Sequence, residues 1–503
     1  MTYQLSKGMT FALIMVLLYA TVSFTVPVLS GDYMISSLGG SRDLSHYLIC
    51  FYAFGNALAI PLTKPLLKRL SPRRSLLLCF LLFGVITTLC VAVSSYWQLV
   101  VLRFLQGFVG GPLIPLATII LLAFTPDDRK NRLSKYVLGT SVISPVLGST
   151  FGGVIAYEYH WRLIFLLPLP ILIVLSLLLY RHLEDVSIDR PMTGFNLVGY
   201  LLFFISIFSI TTAITLGQYL DWDRSVLILS LFAIGALTLI LYIVWDLQHV
   251  SPVIDLSLFK RWKFSLSMIH LAVLFGCYFG LISMLGFWLT FDVTFTPWWI
   301  ILLLAHMLFA VLVLVCMVGK MNQFDARIWL FAAIILLICS SQFASGFSIQ
   351  IDFWRLAVSR TMGGFSLALF VYALSRMSAE NMNPYEKQQE IVTFHLVRCL
   401  GIGLGSAVFA TVVLRRSVFF HERLGSQLTV FSEATSTFFY KAALLGLKGH
   451  AANAELSQQL DTQANALALN DTFYMMKYVG ISLFITLIFS FMKKTIRTAA
   501  PSQ

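Results

Sequence analysis

Arg103, Gln106, Arg360, His395 and Arg398 all fall inside long apolar stretches, where polar and charged groups are expensive. An arginine at the centre of a bilayer-spanning helix costs about 2.5–3.5 kcal/mol on insertion scales, so each needs a partner or a polar cavity. Arg103 opens a helical stripe, Arg103-Gln106-Gly107-Gly110-Ile114, that sets a guanidinium, an amide and two glycines on one face. Such a face either engages a solute or serves as a structural tie near the outer membrane boundary. His395 and Arg398 share another face, where an imidazole can relay a proton, help hold an anion, or simply be hydrogen-bonded in place. His270 and His306, in other apolar stretches, have the same choices. No Asp or Glu stands securely in the middle of such a stretch. Asp32 follows the first, Asp292 ends the ninth and Glu390 opens the thirteenth, which leaves these boundary carboxylates and the histidines as candidates for proton coupling.

Enzyme signatures fail. His421-Glu422 has Gly425 where a zinc protease needs its second histidine, and the chain contains no phosphate-binding P-loop through which ATP would drive it directly. Gly401-Ile402-Gly403-Leu404-Gly405 is no dinucleotide fingerprint, because no strand precedes it and it sits inside an apolar helix. None of the 7 cysteines forms a ligand-spaced pair, so they read as small apolar packing groups. No metal site and no cofactor are expected.

The elements that must position these side chains follow from composition. Of 503 residues 58% are apolar and 12% charged, with mean hydropathy +0.84. Soluble domains are about 45–50% apolar and about 25% charged, so a soluble enzyme, a disordered scaffold and a disulfide-stapled module are excluded. The chain reads as an all-α polytopic membrane protein. A span takes roughly 20 apolar residues. Fourteen candidates lie near 9–30, 46–66, 75–94, 98–122, 136–157, 162–181, 196–217, 225–246, 264–289, 298–318, 328–347, 353–375, 389–414 and 472–492. The first is too long for a signal-peptide core and is expected to remain in the mature protein.

The net charge of +12 is explained by topology rather than by nucleic acid. With the N-terminus inside, the cytoplasmic side collects 22 basic residues, including Lys64, Lys68, Arg69, Arg73, Arg74, Arg129, Lys130, Arg132, Arg190, Lys493, Lys494 and Arg497. The short outer loops hold 4: Arg42, Arg162, Arg224 and Arg355. Both termini are therefore expected in the cytoplasm. A long outer loop is expected at about 415–471. Trp97, Trp161, Trp222, Trp262, Trp298 and Trp354 fall at span ends, where amphipathic rings belong.

Two spans carry small or helix-bending residues. Pro112 and Pro115 follow the Arg103 stripe, freeing carbonyls and permitting a bend beside a transport path or a purely structural kink. In the fifth span Ser141, Ser144, Pro145, Gly148 and Gly152 share a face, which predicts a close helix contact able to rock or simply to pack.

These residues resemble the major facilitator superfamily, in particular its fourteen-helix drug:proton antiporter branch (the EmrB/QacA type). The likeness covers essentially the whole chain. Its most specific part is Arg103-Phe104-Leu105-Gln106-Gly107-Phe108-Val109-Gly110-Gly111-Pro112, continued by Leu113-Ile114-Pro115-Leu116. Pro145, Gly148, Ser149, Gly152 and Gly153 stand where the fifth-span antiporter motif does, with Ser149 at its proline. His160-Trp161-Arg162 and Val253-Ile254-Asp255-Leu256 resemble the stretches entering the sixth span and opening the second half, and Phe394, Arg398, Leu400 and Gly405 match the thirteenth span. The resemblance implies two six-helix bundles with two inserted helices, divided as 1–190, 191–250 and 251–503. It implies alternating access driven by inward proton flow. The motif glycines and prolines, with Lys68 and Arg69 of the basic loop, would serve conformational change. Beside Ser149, three places depart: Lys64 stands where the basic motif begins with glycine, Leu18 where the first span carries an aspartate, and Pro168-Leu169-Pro170 where the sixth span has Asn-x-Pro.

The function expected is efflux of amphipathic drugs or toxic lipophilic compounds from the bacterial inner membrane, with Arg103, Gln106, Arg360, His395, Arg398 and Asp32 in transport or coupling. A periplasmic adaptor and an outer-membrane channel are implied partners beside the bilayer. Dedicated export of an endogenous metabolite, such as a siderophore, is the alternative, because buried cations without buried acids favour an anionic cargo. A non-transporting receptor or enzyme is a third reading from another class.

Overall fold

Proline cannot donate the N–H that a helix interior requires, and prolines set the breaks in the first half of the molecule. The computed structural model describes residues 6–41, 44–125, 127–183, 194–429 and 431–499, omitting the side chains of 127–132, 134, 297 and 491–499. The boundary expected at 190/191, with Arg42 and Arg190, lies outside these residues. So do the side chains of Arg129, Lys130, Arg132, Lys493, Lys494 and Arg497.

Helix α1 (Lys7–Thr25) gives way at Val26 to α2 (Pro27–Leu38), whose N1 position is Pro27. Helix α3 (Tyr47–Ala59) passes through a 3-10 turn at Ile60–Leu62, built on Pro61, into α4 (Thr63–Arg69). Then come α5 (Pro72–Val91), α6 (Tyr96–Gly110) and, past Pro112, α7 (Leu113–Phe124). Helix α8 (Asp127–Glu158) runs through Pro145 without interruption, and α9 (Leu163–Leu166) leads into α10 (Pro168–His182).

The remainder is α11 (Leu197–Leu216), α12 (Val226–Gln248), α13 (Trp262–Phe291), α14 (Pro297–Met321), α15 (Ala326–Ala344) and α16 (Phe353–Ser378). Helices α17 (Pro384–Gly425), α18 (Glu433–Leu444) and α19 (His450–Ala499) complete the chain.

Among the described residues thirteen helices are long and apolar enough to cross a membrane, against the fourteen expected. The difference lies at 46–66. That segment is helical, but Pro61 divides it into α3 and α4, and neither piece is long enough alone. The second departure is the expected outer loop at 415–471, which is mostly helix. Helix α17 continues to Gly425, α18 crosses over, and α19 begins at His450. The extensions of α17 and α19 are joined by Arg416–Asp471 (2.5 Å), His421 Nδ1–Asp461 (2.6 Å) and a Ser417 Oγ to Asn465 Oδ1 hydrogen bond of 2.5 Å. A long loop that can satisfy its backbone by extending existing helices escapes the cost of unpaired N–H and C=O groups.

Within the first half α1 packs on α8 and α3 on α6; within the second α13 packs on α17 and α15 on α16. The halves meet where α3 lies on α17 and α8 on α14. Glycine permits the closest crossings. A side chain at Gly107 would strike the Tyr52 backbone, and one at Gly276 would meet the Gly401 carbonyl.

The two ends of the bundle differ in what they gather. At one, Lys64 Nζ donates to Val253 O (3.1 Å), Arg261 pairs with Glu386 (2.5 Å), and Lys263 pairs with Glu380. At the other, Trp97 meets Tyr219, Trp298 Nε1 donates to Glu158 (2.8 Å), and Arg415 donates to Gln218 (2.7 Å). These groupings follow the alternation of loops read from the sequence.

A candidate transport seam between the halves

Pro27 has no N–H to offer the carbonyl of Ser23 one helical turn back, so that carbonyl is left without its helical donor. Arg103 of α6 supplies the donors instead. Both terminal guanidinium nitrogens lie 3.4 Å from Ser23 O, and one is 3.5 Å from Phe24 O. The same group donates to Gln106 Oε1 (2.6 Å), and Gln106 Nε2 donates to Thr87 Oγ1 of α5 (2.8 Å). The guanidinium lies 4.2 Å above the Tyr52 ring of α3. Arg103 thus ties α1, α3, α5 and α6 together, and it is 1% exposed.

From Tyr52 an aromatic chain leads across the interface. Tyr52 packs edge-on against Phe24 (5.3 Å between centroids), Phe24 meets Phe279 of α13 (6.4 Å), and Phe279 stacks on Phe275 one turn away (5.9 Å). Arg398 of α17 lies 5.8 Å from the Phe275 ring. The chain therefore runs from a buried cation in one half to a buried cation in the other. A ring face attracts a cation by about 0.5–1 kcal/mol when exposed and about 2 or more when desolvated.

Arg360 of α16, the third arginine expected within a span, is buried as well. It donates to Ser359 Oγ (3.0 Å) and lines a cavity of about 30 Å³ where Val28, Leu29 and Ser149 of the first half meet α13 and α14. The Nε atoms of Arg103, Arg360 and Arg398 have no hydrogen-bond partner within the protein, nor has Nδ1 of His395. Among the described residues, no carboxylate lies within 4 Å of these three guanidiniums. The seam thus places unpartnered cationic donors beside apolar rings, and an unpartnered buried donor gains about 1–3 kcal/mol by finding an acceptor.

The other expected residues separate by place. His395 stands one turn before Arg398 in the seam. Asp32 is buried in α2 toward the far end, away from the aromatic chain. Glu390 is buried near the start of α17 and accepts from Ser378 Oγ (2.5 Å). His270 has its ring nitrogens against Leu266 O (2.8 Å) and Leu483 O (3.2 Å), a packing role, and His306 is half-buried with Nδ1 against Leu302 O (2.7 Å). Gly107 and Gly111 face Tyr52 and Asn56, while Gly110 faces the Phe83 ring. Gly148, Gly152 and Gly153 face Val22, Val26 and Leu29, so the fifth-span stripe packs within the first half rather than across to the second. Pro112 caps α7 and Pro115 lies inside its first turn, both as a bend after Gly111. Lys68 and Arg69 end α4, exposed.

Two features escaped sequence reasoning. The aromatic chain joins residues far apart in sequence; only the Phe275/Phe279 spacing hinted at a common face. Asp246, in the last turns of α12, is a hub that accepts from Val253 N (2.8 Å), Ile254 N (3.4 Å), Tyr242 OH (3.1 Å) and Asn196 Nδ2 (3.4 Å). A carboxylate at the end of an apolar run was the signal for it.

Comparison with known proteins gives concordant results. The family model described as Major Facilitator Superfamily matches residues 11–315. The chain is similar to the multidrug export protein EmrB of Escherichia coli K12, 26% identical over 470 residues that cover 93% of this chain and 92% of that one. It is also similar to the fatty acid resistance protein FarB of Neisseria gonorrhoeae, 28% identical over 490 residues, covering 96% and 94%. In fold it resembles the crystal structure of a bacterial homolog of the human lysosomal transporter Spinster, with TM-score 0.62, 14% identity, and coverage of 96% and 97%.

Proposed function

The chain belongs to the Major Facilitator Superfamily, and from that premise we propose that it exports amphipathic compounds with an apolar body and an anionic head. It is a multi-pass membrane transporter, not an enzyme. The observation that carries the cargo class is the aromatic chain from Tyr52 to Phe275, with Arg103 at one end and Arg398 at the other. Aromatic faces take up the apolar body. The guanidiniums, with donors to spare and no carboxylate partners, take the anion. The name of the relative FarB, a fatty acid resistance protein, is in keeping with such a cargo.

Alternating access follows from the architecture: two bundles meeting at α3–α17 and α8–α14 can rock about the seam. Leu18 occupies the position at which the resemblance expects a first-span aspartate. Proton coupling therefore falls to Glu390, Asp32 or His395, all buried. The protein sits in the bacterial inner membrane with both termini in the cytoplasm. The α17–α19 projection then reaches into the periplasm, where an adaptor leading to an outer-membrane channel would meet it.

The test uses everted vesicles energised with a proton gradient. Uptake of a lipophilic carboxylate is expected, with collapse on adding a protonophore and loss in Arg398→Gln at unchanged protein abundance. Uptake that persists with the protonophore overturns the coupling, and equal uptake by Arg398→Gln overturns the cargo assignment.

A further inference from the structure

The end of the bundle that gathers Lys64 contains a second cavity, of about 610 Å³, remote from the seam and unaccounted for by cargo export. Its walls come from three sources. The first half gives Lys64, Lys68 and Arg69, the connectors around the inserted helices give Asn196 and Val253, and the start of α17 gives Gln388. No carboxylate lines it. Lys64 is partly spoken for, since it donates to Val253 O (3.1 Å). Lys68 and Arg69 have no ion pair among the described residues, although Glu386 on the same α17 turn is taken by Arg261.

The connector wall is rigid. Asp246 accepts from Val253 N, Ile254 N and Asn196 Nδ2, and Asn196 Oδ1 accepts from Gly199 N (2.9 Å) and Trp245 Nε1 (2.9 Å). The fixed connector, two cations without an ion pair among the described residues and the Gln388 amide of the other half line a pocket of ligand size, which runs about 300–1,000 Å³. The chemistry that satisfies it is an oxyanion with several acceptors, because guanidinium and ammonium groups converge best on phosphate.

We propose that this cavity binds one phosphate group, from a phospholipid headgroup or as the free ion, and that the bound group ties α4 of the first half to α17 of the second. This holds whether or not the cargo assignment above is right, since neither Arg103, Arg398 nor a ring of the aromatic chain lines the pocket. The bound anion favours the arrangement of halves described here, and its departure frees α4 to move from α17.

Binding is measured on the purified full-length protein in detergent, by native mass spectrometry and by the shift in unfolding temperature. The three probes are phosphatidylglycerol, inorganic phosphate and phosphatidylcholine. Retention and thermal stabilisation by phosphatidylglycerol are expected, with a Lys68→Gln/Arg69→Gln variant weakened on the order of twentyfold, about fivefold for each cation. A Lys68→Arg variant keeps binding, which separates lost charge from lost fold. Arg181→Gln/Lys320→Gln removes two other basic groups and leaves binding unchanged. The same charge dependence with inorganic phosphate assigns the free ion, whereas dependence with phosphatidylglycerol alone assigns the lipid. Retention of phosphatidylcholine with the same charge dependence assigns any lipid phosphate, whereas equal weakening in both double variants, or binding of all three probes that does not depend on Lys68 and Arg69, overturns the proposal.

Discussion

Arg103 donates from both terminal nitrogens to the carbonyl of Ser23, the acceptor that Pro27 leaves without a helical donor. One residue of α6 thereby repairs the break between α1 and α2 while its face rests on Tyr52. The structural role and the proposed transport role fall on one side chain, so a single deletion cannot separate them.

A pair of variants can. Arg103→Ala strands the Ser23 carbonyl and Gln106, at about 1–3 kcal/mol for each buried polar group left without a partner. Adding Pro27→Ala restores a helical donor for Ser23, and the double variant is expected to regain unfolding temperature but not transport. Recovery of both readouts would make Arg103 a structural tie alone.

Tyr52→Phe keeps the ring under Arg103 and is expected to transport nearly normally. Tyr52→Leu removes the ring, and with it a cation–ring contact worth about 2 kcal/mol in a desolvated site. Phe279→Leu severs the same chain in the other half. Concentration dependence of uptake is the readout, with roughly a tenfold rise in the half-saturating concentration for both leucine variants.

Gly403 of α17 lies under the Phe54 ring of α3, and Cys50 Sγ reaches Gly403 O at 3.3 Å, so the halves touch here without room for a side chain. Gly403→Leu is expected to reach the membrane in normal amount and fail to transport. Phe54→Ala in the same chain opens the space and should restore part of the uptake. Absence of any rescue would show that this crossing does not limit the cycle.

Asp246→Asn removes the charge from the hub that holds Val253 and Ile254. The expected effect is a loss of about 1–3 kcal/mol in stability, read as a lower unfolding temperature of the purified protein. Asn196→Ala removes one donor and should cost less.

Tyr440, on α18, is 68% exposed. Under the proposed orientation, with both termini in the cytoplasm, Tyr440→Cys is expected to react in intact spheroplasts with a membrane-impermeant maleimide. Labelling only after membrane disruption would reverse the orientation.

How much of this was legible in the sequence depended on range. The bend at Pro112 is a local event and the apolar runs located the helices, but Pro27 and Pro61 break 9–30 and 46–66, which were expected to run as single spans. The same rule undercounted the effect of Pro61, since a run of apolar residues does not reveal that its helix is cut. Burial of Arg103, Arg360 and Arg398 was legible because charge in apolar sequence is rare. What joins them was not: Phe24 and Phe279 meet across a separation that no local period encodes. The 415–471 stretch was misjudged as loop because its polarity was read as irregularity. Polar residues such as Arg416, Asp461 and Asp471 pair along helices that stand clear of the apolar core.

Helix α17 enters the bundle at Pro384 and ends at Gly425 without a break, 42 residues that reach roughly 63 Å at 1.5 Å per residue. About half of that exceeds the thickness of the hydrocarbon layer, near 30 Å. Because the overhang is one rigid rod with a span of the second bundle, it acts as a lever arm. A tilt of that bundle by about ten degrees would sweep the far tip through several ångströms, a magnified copy of each turnover delivered to whatever stands outside.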